Sequence, residues 1–439
     1  MGFLRSPRRA RTRQWLFQIH LYAGLAAGSL ALVVGLSGAA LVYSPELEVA
    51  PRWSAGPDPA HLPLDLLAER VMAGRGRFRL QDIRFDAHGN ATVFHVQALD
   101  GAKKPGSDLL LVVDPASGSV RKAVDRRSGA WHWLRELHHD LLAGKTGRMI
   151  NGIGAILLLA LCITGLVIWW PGPGLWKQRL AIQPRSNWKR FNWDLHNALG
   201  FWSAGALAFL AFTGIQFAFP RAIEDSIRFL TASPAPPKKP VVSSPAGAAP
   251  APISRILEAA RAAAPEGRVA FIKFAQKPGE PVEAKVKTPL DGHPDGNTKV
   301  YLDPSTAAVV AVQRFSQLSV GNKLLATMGQ IHMARCFEPG WTSVALRIFW
   351  VIAGLMPGAL FLTGFLMWWN RVAAKKAAAL RPRRQHPRRR AARVAAAAGL
   401  LLLAAFAARA EEAALRGLVQ DGSGAAIAGA KVTLQTSPE

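Results

Sequence analysis

Two apolar stretches of the chain carry a histidine at a matching point, and a buried imidazole can bind a metal. In the first stretch His20 is followed four residues later by Gly24, and in the second His196 is followed four residues later by Gly200. A further glycine lies 18 residues after each histidine. An ionisable side chain inside an apolar helix is costly unless it has a partner. The pattern therefore predicts a metal cofactor held between two membrane helices.

Two more histidine sites lie near the other ends of the apolar stretches. His138 and His139 lead into the second stretch, and His332 leads into the fourth. The position of His138 and His139 corresponds to that of His332, as the position of His20 corresponds to that of His196. The sequence therefore has two corresponding histidine positions toward each membrane face. The alternative is that all four are interior histidines that only hydrogen bond to neighbouring helices.

Haem suits such pairs because its iron accepts two axial imidazoles. The glycines that follow the inner histidines lie on the same helix face and leave room for a flat macrocycle, although close helix packing explains them equally well. Structural zinc requires four ligands, usually with cysteine or carboxylate, and the sequence has no such cluster. Copper is less favoured, since only Met333 supplies a sulfur ligand near these histidines.

Four uncharged apolar runs position these histidines. Each exceeds the roughly 20 residues that a membrane-spanning helix needs. We predict four spans in this chain of 439 residues, over 16–44, 148–170, 195–219 and 344–369.

The net charge of +26 is concentrated in three segments, 1–15, 171–194 and 370–390. Short segments rich in Lys and Arg remain in the cytoplasm, so the longer segments 45–147 and 220–343 are predicted to lie on the opposite side. This topology accounts for the basic charge, and no nucleic-acid partner is expected.

Each long segment is predicted to be a small α+β unit, with a helix followed by strands and an Asp-Pro turn. A Pro- and Ala-rich stretch, 231–252, is typical of a linker. The order of span, α+β unit and span occurs twice, which predicts a four-helix bundle that arose by tandem duplication. The predicted strands lie at 78–85, 91–98, 108–113, 269–274 and 282–287.

The end of the chain differs from the rest. After the basic segment, residues 391–439 contain a short apolar core and small residues before an acidic start, which are typical of a secretory signal peptide. The remainder resembles the start of a β-sandwich module. We interpret 391–439 as a gene fusion and assign it no function. The alternative is a fifth membrane span, for which an apolar core of 15 residues is short.

Several motifs resemble the PepSY-associated transmembrane family, whose members include inner-membrane ferric-siderophore reductases and iron-uptake proteins of the PiuB and FoxB type. The resemblance covers about residues 10–372. The motifs are WLFQIHLYAGL in span one, LHHDLLAGKTGR before span two, NWDLHNALGFW in span three, and QIHMAR with GFLMWW around span four. It implies an α+β membrane protein with two PepSY-like units on the periplasmic side of a bacterial inner membrane and a cytoplasmic N-terminus.

The resemblance also implies a cofactor, two b-type haems. By this analogy His20 and His196 bind the inner haem, and His138 and His332 bind the outer one. His139 is the alternative outer ligand, and His138 is preferred because it matches the first histidine of the family's Leu-His-x-x-Leu pattern.

The implied function is electron transfer to ferric iron held by a siderophore or another chelator in the periplasm. Trp131, His132 and Trp133 could line the acceptor site, although an interfacial aromatic belt explains them at least as well. The electron donor is not identified, because the sequence contains no nucleotide-binding Gly-rich loop or flavin motif. The leading alternative is a membrane-anchored binding or regulatory protein without redox activity. A transporter is disfavoured because the spans contain few charged residues.

Overall fold

The structure of the chain is a computed structural model. It describes residues 11–48, 61–86, 88, 90–172, 174–243, 248–289, 291–336 and 340–380. The segment 391–439, interpreted above as a gene fusion, lies outside the described residues. The chain divides into two compact units at residue 375, and the described part of the second unit, 375–380, is helical.

Within the described residues, four helices are long and apolar enough to cross a membrane. A helix satisfies its backbone hydrogen bonds internally, which is what a bilayer without water requires. The last of the four contains Pro357 in its interior, a residue that removes one helical hydrogen bond. The four helices are α1 (Arg11–Leu41), α5 (Gly144–Trp169), α7 (Trp188–Ala218) and α11 (Trp341–Leu380).

Eight shorter helical segments complete the helical part of the described chain. They are α2 (Ser44–Glu48), α3 (Leu64–Met72), α4 (Gly129–Asp140), α6 (Trp176–Leu180), α8 (Pro220–Leu230), α9 (Ile253–Ala263), the 3₁₀ turn Phe315–Gln317 and α10 (Val320–His332). Helices α4 and α10 each end just before a long apolar helix begins, and each has a histidine in its last turn.

Eight strands form one antiparallel sheet with the order β4-β3-β2-β1-β5-β6-β7-β8. The strands are β1 (Phe78–Phe85), β2 (Ala91–Ala98), β3 (Asp108–Val113), β4 (Val120–Asp125), β5 (Arg268–Lys273), β6 (Val282–Lys287), β7 (Thr298–Leu302) and β8 (Val309–Gln313). The first four come from one long segment and the last four from the other.

Each long segment supplies helices and four strands, and the two sets of strands join in one sheet, an association that the sequence analysis did not predict. Strands β1 and β5 join them through three residue pairs, Asp82 with Lys273, Ile83 with Ile272, and Arg84 with Phe271. This junction depends on backbone hydrogen bonds between two strand edges, which leave no mark in the side-chain pattern.

One face of the sheet packs against α3 and α9 and forms the main hydrophobic core outside the bundle. Ile83 and Ile272, which pair across the junction, are both fully buried in it. Asp65 of α3 also accepts hydrogen bonds from the backbone N–H of Ile253 and the hydroxyl of Ser254, where α9 begins. The two halves thus share a sheet, a core and a helix-capping interaction.

Candidate functional site

His20 on α1 and His196 on α7 line the same cavity inside the helical bundle. The cavity has a volume of about 550 Å³. Its wall is largely aliphatic and aromatic, and it includes Gly24 and Gly200. A Cβ atom added at either glycine would meet a leucine at an ordinary contact distance of 3.8 or 3.7 Å. These glycines therefore leave space on the cavity side and are not required for close packing of backbones.

The ring of each inner histidine is held by a threonine on the next long helix. Nδ1 of His20 lies 3.0 Å from the hydroxyl of Thr164, and Nδ1 of His196 lies 2.8 Å from the hydroxyl of Thr363. Each threonine hydroxyl also lies 2.7 Å from the carbonyl four residues earlier in its own helix.

These contacts favour one tautomer of each ring. A hydroxyl has one hydrogen, and the short contacts of Thr164 and Thr363 with their own helix carbonyls place that hydrogen on the backbone. A hydroxyl bonded in this way can accept a hydrogen bond from Nδ1–H of the histidine. In that tautomer the Nε2 lone pair of His20 and His196 is left to bind a ligand. Hydrogen bonds to the second ring nitrogen orient histidines that bind metals.

The second pair is His138 on α4 and His332 on α10. Their ring centres lie 6.4 Å apart, and Phe217 packs edge-on to His332 at 5.4 Å between ring centres. Burial lowers the pKa of His138 to about 4 and that of His332 to about 3. Both imidazoles are therefore neutral near pH 7, the state in which imidazole binds metals.

The outer histidines have the same hydrogen-bonding arrangement as the inner pair. Nδ1 of His332 lies 2.5 Å from the hydroxyl of Thr213, which lies 2.8 Å from its own helix carbonyl at Phe209. Nδ1 of His138 lies 2.9 Å from the carbonyl of Val34 and 3.2 Å from the hydroxyl of Ser37. Since Val34 supplies a carbonyl, Nδ1 of His138 must be the donor, and its Nε2 is again unprotonated.

A glycine follows each of these four hydroxyl residues, and three of the glycines make room for a histidine ring. A Cβ atom at Gly38 would lie 2.7 Å from Cε1 of His138. The corresponding distances are 3.2 Å at Gly165 for His20 and 3.3 Å at Gly364 for His196. The glycine gives the ring space beside the hydroxyl that orients it.

The sequence analysis did not identify the four hydroxyl residues as part of the site. The signal was available, because a Ser-Gly or Thr-Gly pair occurs in the apolar part of each long helix, at 37–38, 164–165, 213–214 and 363–364. The pairs at 164 and 363 begin the similar sequences TGLVIWW (164–170) and TGFLMWW (363–369), which lie toward the ends of the second and fourth predicted spans. Their role follows only from the contacts across helices.

The other predicted residues lie around the outer pair. His139 is exposed, with its ring centre 5.6 Å from that of His138, and His138 is the one that faces His332. Trp131 lines a second cavity with Tyr43 and Arg347, Trp133 is exposed, and His132 is half-buried. The structure brings Trp131 to a cavity, but it does not gather the three residues of 131–133 around one.

Helix α4 is anchored at both ends by charged groups. Asp140, in its last turn, forms a two-point ion pair with Arg148 of α5, at 2.7 and 2.9 Å. Before the helix begins, Arg127 lies 3.3 Å from Asp108 of β3. Asp108 also lies 2.9 Å from Nε2 of His95, whose Nδ1 lies 2.6 Å from Asp82. The position of His138 thus depends on the sheet as well as on the bundle.

The arrangement presents two imidazole nitrogens at each of two sites. Among the described residues, no group of three or more His, Cys, Asp or Glu side chains could hold a metal ion alone. A zinc site needs at least three protein ligands. Two imidazoles are instead suited to a metal that brings its remaining ligands with it.

Comparison with known proteins gives one result. A sequence model described as the PepSY-associated TM region matches residues 17–371. No curated protein matches the chain.

Proposed function

The chain belongs to the PepSY-associated transmembrane family, and on that basis we propose that it is a membrane electron-transfer protein that binds two b-type haems. The inner haem would be bound by His20 and His196, and the outer one by His138 and His332. The substrate would be ferric iron in a chelate, and the product ferrous iron.

The observation that carries this proposal is the set of contacts made by Nδ1 of the four histidines. In each, Nδ1 lies within hydrogen-bond distance of a hydroxyl or carbonyl group on a neighbouring helix. If a histidine only joined two helices, its partner would not need to be a hydroxyl that already donates to the backbone of the partner's own helix. The arrangement prepares four Nε2 atoms for a metal.

The residues also fit haem in shape. The two outer imidazole rings have centres 6.4 Å apart, a separation at which both could reach one metal ion. The inner pair lines a cavity of about 550 Å³ with a mainly apolar wall and a glycine four residues after each histidine. Both sites supply two ligands, the number that haem iron requires from a protein.

When bound, the haems would supply one-electron carriers near the two ends of the bundle. The chain itself contributes the four ligands, the hydroxyl groups that orient them and an apolar wall that excludes water. The overall reaction moves one electron from a donor to Fe(III) in a chelate, which becomes Fe(II). Fe(II) is less strongly held by hard oxygen ligands because of its lower charge, so the iron is released.

We further propose the orientation and origin of the chain. The basic segments 1–15, 171–194 and 370–390 favour the cytoplasmic side of a bacterial inner membrane, which puts the eight-stranded sheet in the periplasm. Each half contributes a long helix, two short helices, four strands, a helix with a histidine in its last turn and a second long helix, an order that supports a tandem duplication. The ferric chelate would be a siderophore complex, as expected of the PiuB and FoxB type.

The visible absorption spectrum of the full chain, purified from membranes, tests the proposal directly. We expect a Soret band, the spectrum of low-spin haem with two imidazole ligands, and two haems per chain by the pyridine haemochrome assay. Dithionite-reduced protein, mixed anaerobically with ferric siderophores, should then be reoxidised.

Two outcomes would count against the proposal in different ways. A folded protein without a Soret band would favour a membrane-anchored binding or regulatory protein. A protein with two haems that is not reoxidised by any ferric complex would keep the electron carrier and reject iron as its substrate.

A further inference from the structure

The inner cavity has a charged mouth at the end where α7 begins. Lys189, in the first turn of α7, and Arg371, late in α11, both line it. Among the described lining residues, these two are the charged ones apart from the histidines. They come from different long helices, so the bundle brings them together at one opening.

Neighbouring cations at this end of the bundle have partners, whereas these two have no acidic partner among the described residues. Arg190 pairs with Asp194 at 3.0 Å, and Arg179 lies over the ring of Trp193 at 5.0 Å. Within the described part of the chain, neither Lys189 nor Arg371 lies within ion-pair distance of a carboxylate.

Arg371 nevertheless has a defined place. Its guanidinium lies 4.9 Å from the ring centre of Phe17, which also lines the cavity. This contact holds the charge beside a ring that lines the same cavity. A guanidinium there can form a two-point hydrogen bond with a carboxylate.

The cavity therefore has two chemically different ends. Leu158, Leu207 and Pro357 line it away from the mouth, and two positive charges line the mouth. Its occupant should be apolar over most of its surface and acidic at one edge. Haem b has this form, since it is a flat apolar ring with two propionate groups on one edge.

We propose that Lys189 and Arg371 bind the propionate carboxylates of the inner haem and orient it with that edge toward the cytoplasm. The inference rests on the proposed function, because it requires haem in the inner cavity. The two residues act as positioning groups, and the iron ligands remain His20 and His196. A charged hydrogen bond to a carboxylate is stronger than a neutral one, although solvent at the mouth weakens it.

The reduction potential is expected to depend on these charges. Reduction of haem iron adds one negative charge to the group, and nearby cations stabilise that form. Loss of Lys189 and Arg371 should therefore lower the potential of the inner haem. It should leave the outer haem unchanged, because that haem would lie at the opposite end of the bundle.

The test uses full-length protein in lipid nanodiscs and a spectroscopic redox titration. We compare wild type with Lys189→Gln, Arg371→Gln and the double variant, and identify the inner haem as the signal missing from His196→Ala. In the double variant the ratio of reduced to oxidised inner haem, at a fixed potential, should fall about tenfold, which is 59 mV for one electron. Each single variant should give a smaller shift in the same direction.

Lys177→Gln is the matched control, because it removes a nearby positive charge that does not line the cavity. It should shift neither haem. The double variant Lys189→Arg with Arg371→Lys keeps both charges and should restore the wild-type potential, which separates the effect of charge from that of misfolding.

Two results would overturn the inference. If the double glutamine variant binds two haems with unchanged potentials, Lys189 and Arg371 are ordinary solvated cations and the proposed function still stands. If wild type itself binds no haem, the proposed function fails and this inference fails with it.

Discussion

The inner and outer histidine pairs share one hydrogen-bonding arrangement but differ in what supports them. The inner histidines lie on the long helices α1 and α7 and line a cavity of about 550 Å³. The outer histidines lie at the ends of the short helices α4 and α10, with ring centres 6.4 Å apart. The inner site is thus a space within a bundle, whereas the outer site is a contact between two shorter elements.

This difference indicates which parts of the molecule support each site. The inner ligands are fixed by packing of the long helices and by hydroxyl groups on α5 and α11. The outer ligands need additional supports, of which the Asp140–Arg148 ion pair and the Arg127–Asp108 contact hold α4. A change in the sheet should therefore affect the outer site more than the inner one.

The largest expected effect comes from removing one ligand of each pair. His196→Ala should eliminate the inner haem and His332→Ala the outer one, since one imidazole remains at each altered site. The haem content measured by the pyridine haemochrome assay should fall from two to one in both variants, with different remaining spectra. Loss of both haems from a variant that elutes as folded protein would show that the two sites are not separate.

The second largest effect on haem binding should come from removing the hydroxyl groups that contact the histidines. Thr363→Val and Thr213→Val remove the acceptor for Nδ1 while keeping the side-chain shape, and should weaken haem binding at their own sites 10- to 100-fold. Ser37→Ala should have a smaller effect, because the Val34 carbonyl still accepts from His138. Haem transfer to apomyoglobin measures each affinity.

Thr327→Val is the matched control for this comparison. Thr327 lies on α10 with His332, and its hydroxyl donates only to its own helix backbone. Equal losses in all of these variants would indicate a general effect of removing hydroxyl groups from helices.

A third prediction uses the different clearances beside the rings. Gly38→Ala would place a methyl group 2.7 Å from the His138 ring, whereas Gly364→Ala would place one 3.3 Å from the His196 ring. We expect Gly38→Ala to reduce outer haem occupancy several-fold and Gly364→Ala to change inner occupancy by less than twofold. Haem content after expression with excess haem measures both, and the reverse order would contradict the geometry.

The smallest effect should come from the sheet. Burial tends to lower the pKa of His95, but hydrogen bonds to Asp108 and Asp82 raise it overall. The pKa of Asp108 is lowered, because its hydrogen bond to His95 and its nearby arginines outweigh burial. Asp108→Asn removes a charged hydrogen bond and should cost about 1–3 kcal/mol of stability.

The signs of these shifts set the pH dependence. The contribution of His95 is complete below its ordinary pKa of 6.5 and is lost as the pH rises through the raised value. The contribution of Asp108 is present above its ordinary pKa of 3.8 and is lost as the pH falls through the lowered value. The stability of wild type should exceed that of Asp108→Asn most between about pH 4 and 6.5. Thermal unfolding followed by circular dichroism measures this difference. The outer haem should dissociate first.

The sequence predicted the elements of the fold better than their assembly. Uncharged apolar runs locate the long helices because a bilayer admits few other sequences, and alternating residues locate strands such as 78–85 and 108–113. The single sheet could not be predicted in this way. The pairing of β1 with β5 unites segments far apart in the chain through backbone groups that every residue possesses.

The histidines were predictable for a similar reason, since an imidazole among apolar residues is conspicuous. Their partners were not, because threonine and serine are common in membrane helices and their hydroxyls usually bond to their own backbone. The same hydroxyl groups at 164 and 363 do this and also accept from a histidine. Only the contact with a histidine on another helix distinguishes these hydroxyl groups from those that bond to their own backbone alone.

The junction between β1 and β5 has a consequence for biosynthesis. About 180 residues separate the two strands, and at ordinary translation rates β5 emerges on the order of 10 to 40 s after β1. During that interval two membrane helices are inserted while β1 has an open edge, the kind of surface that pairs with unrelated strands. Completion of the sheet is therefore a late event in maturation, and a nascent chain halted before residue 268 is the form most exposed to aggregation and to quality-control proteases.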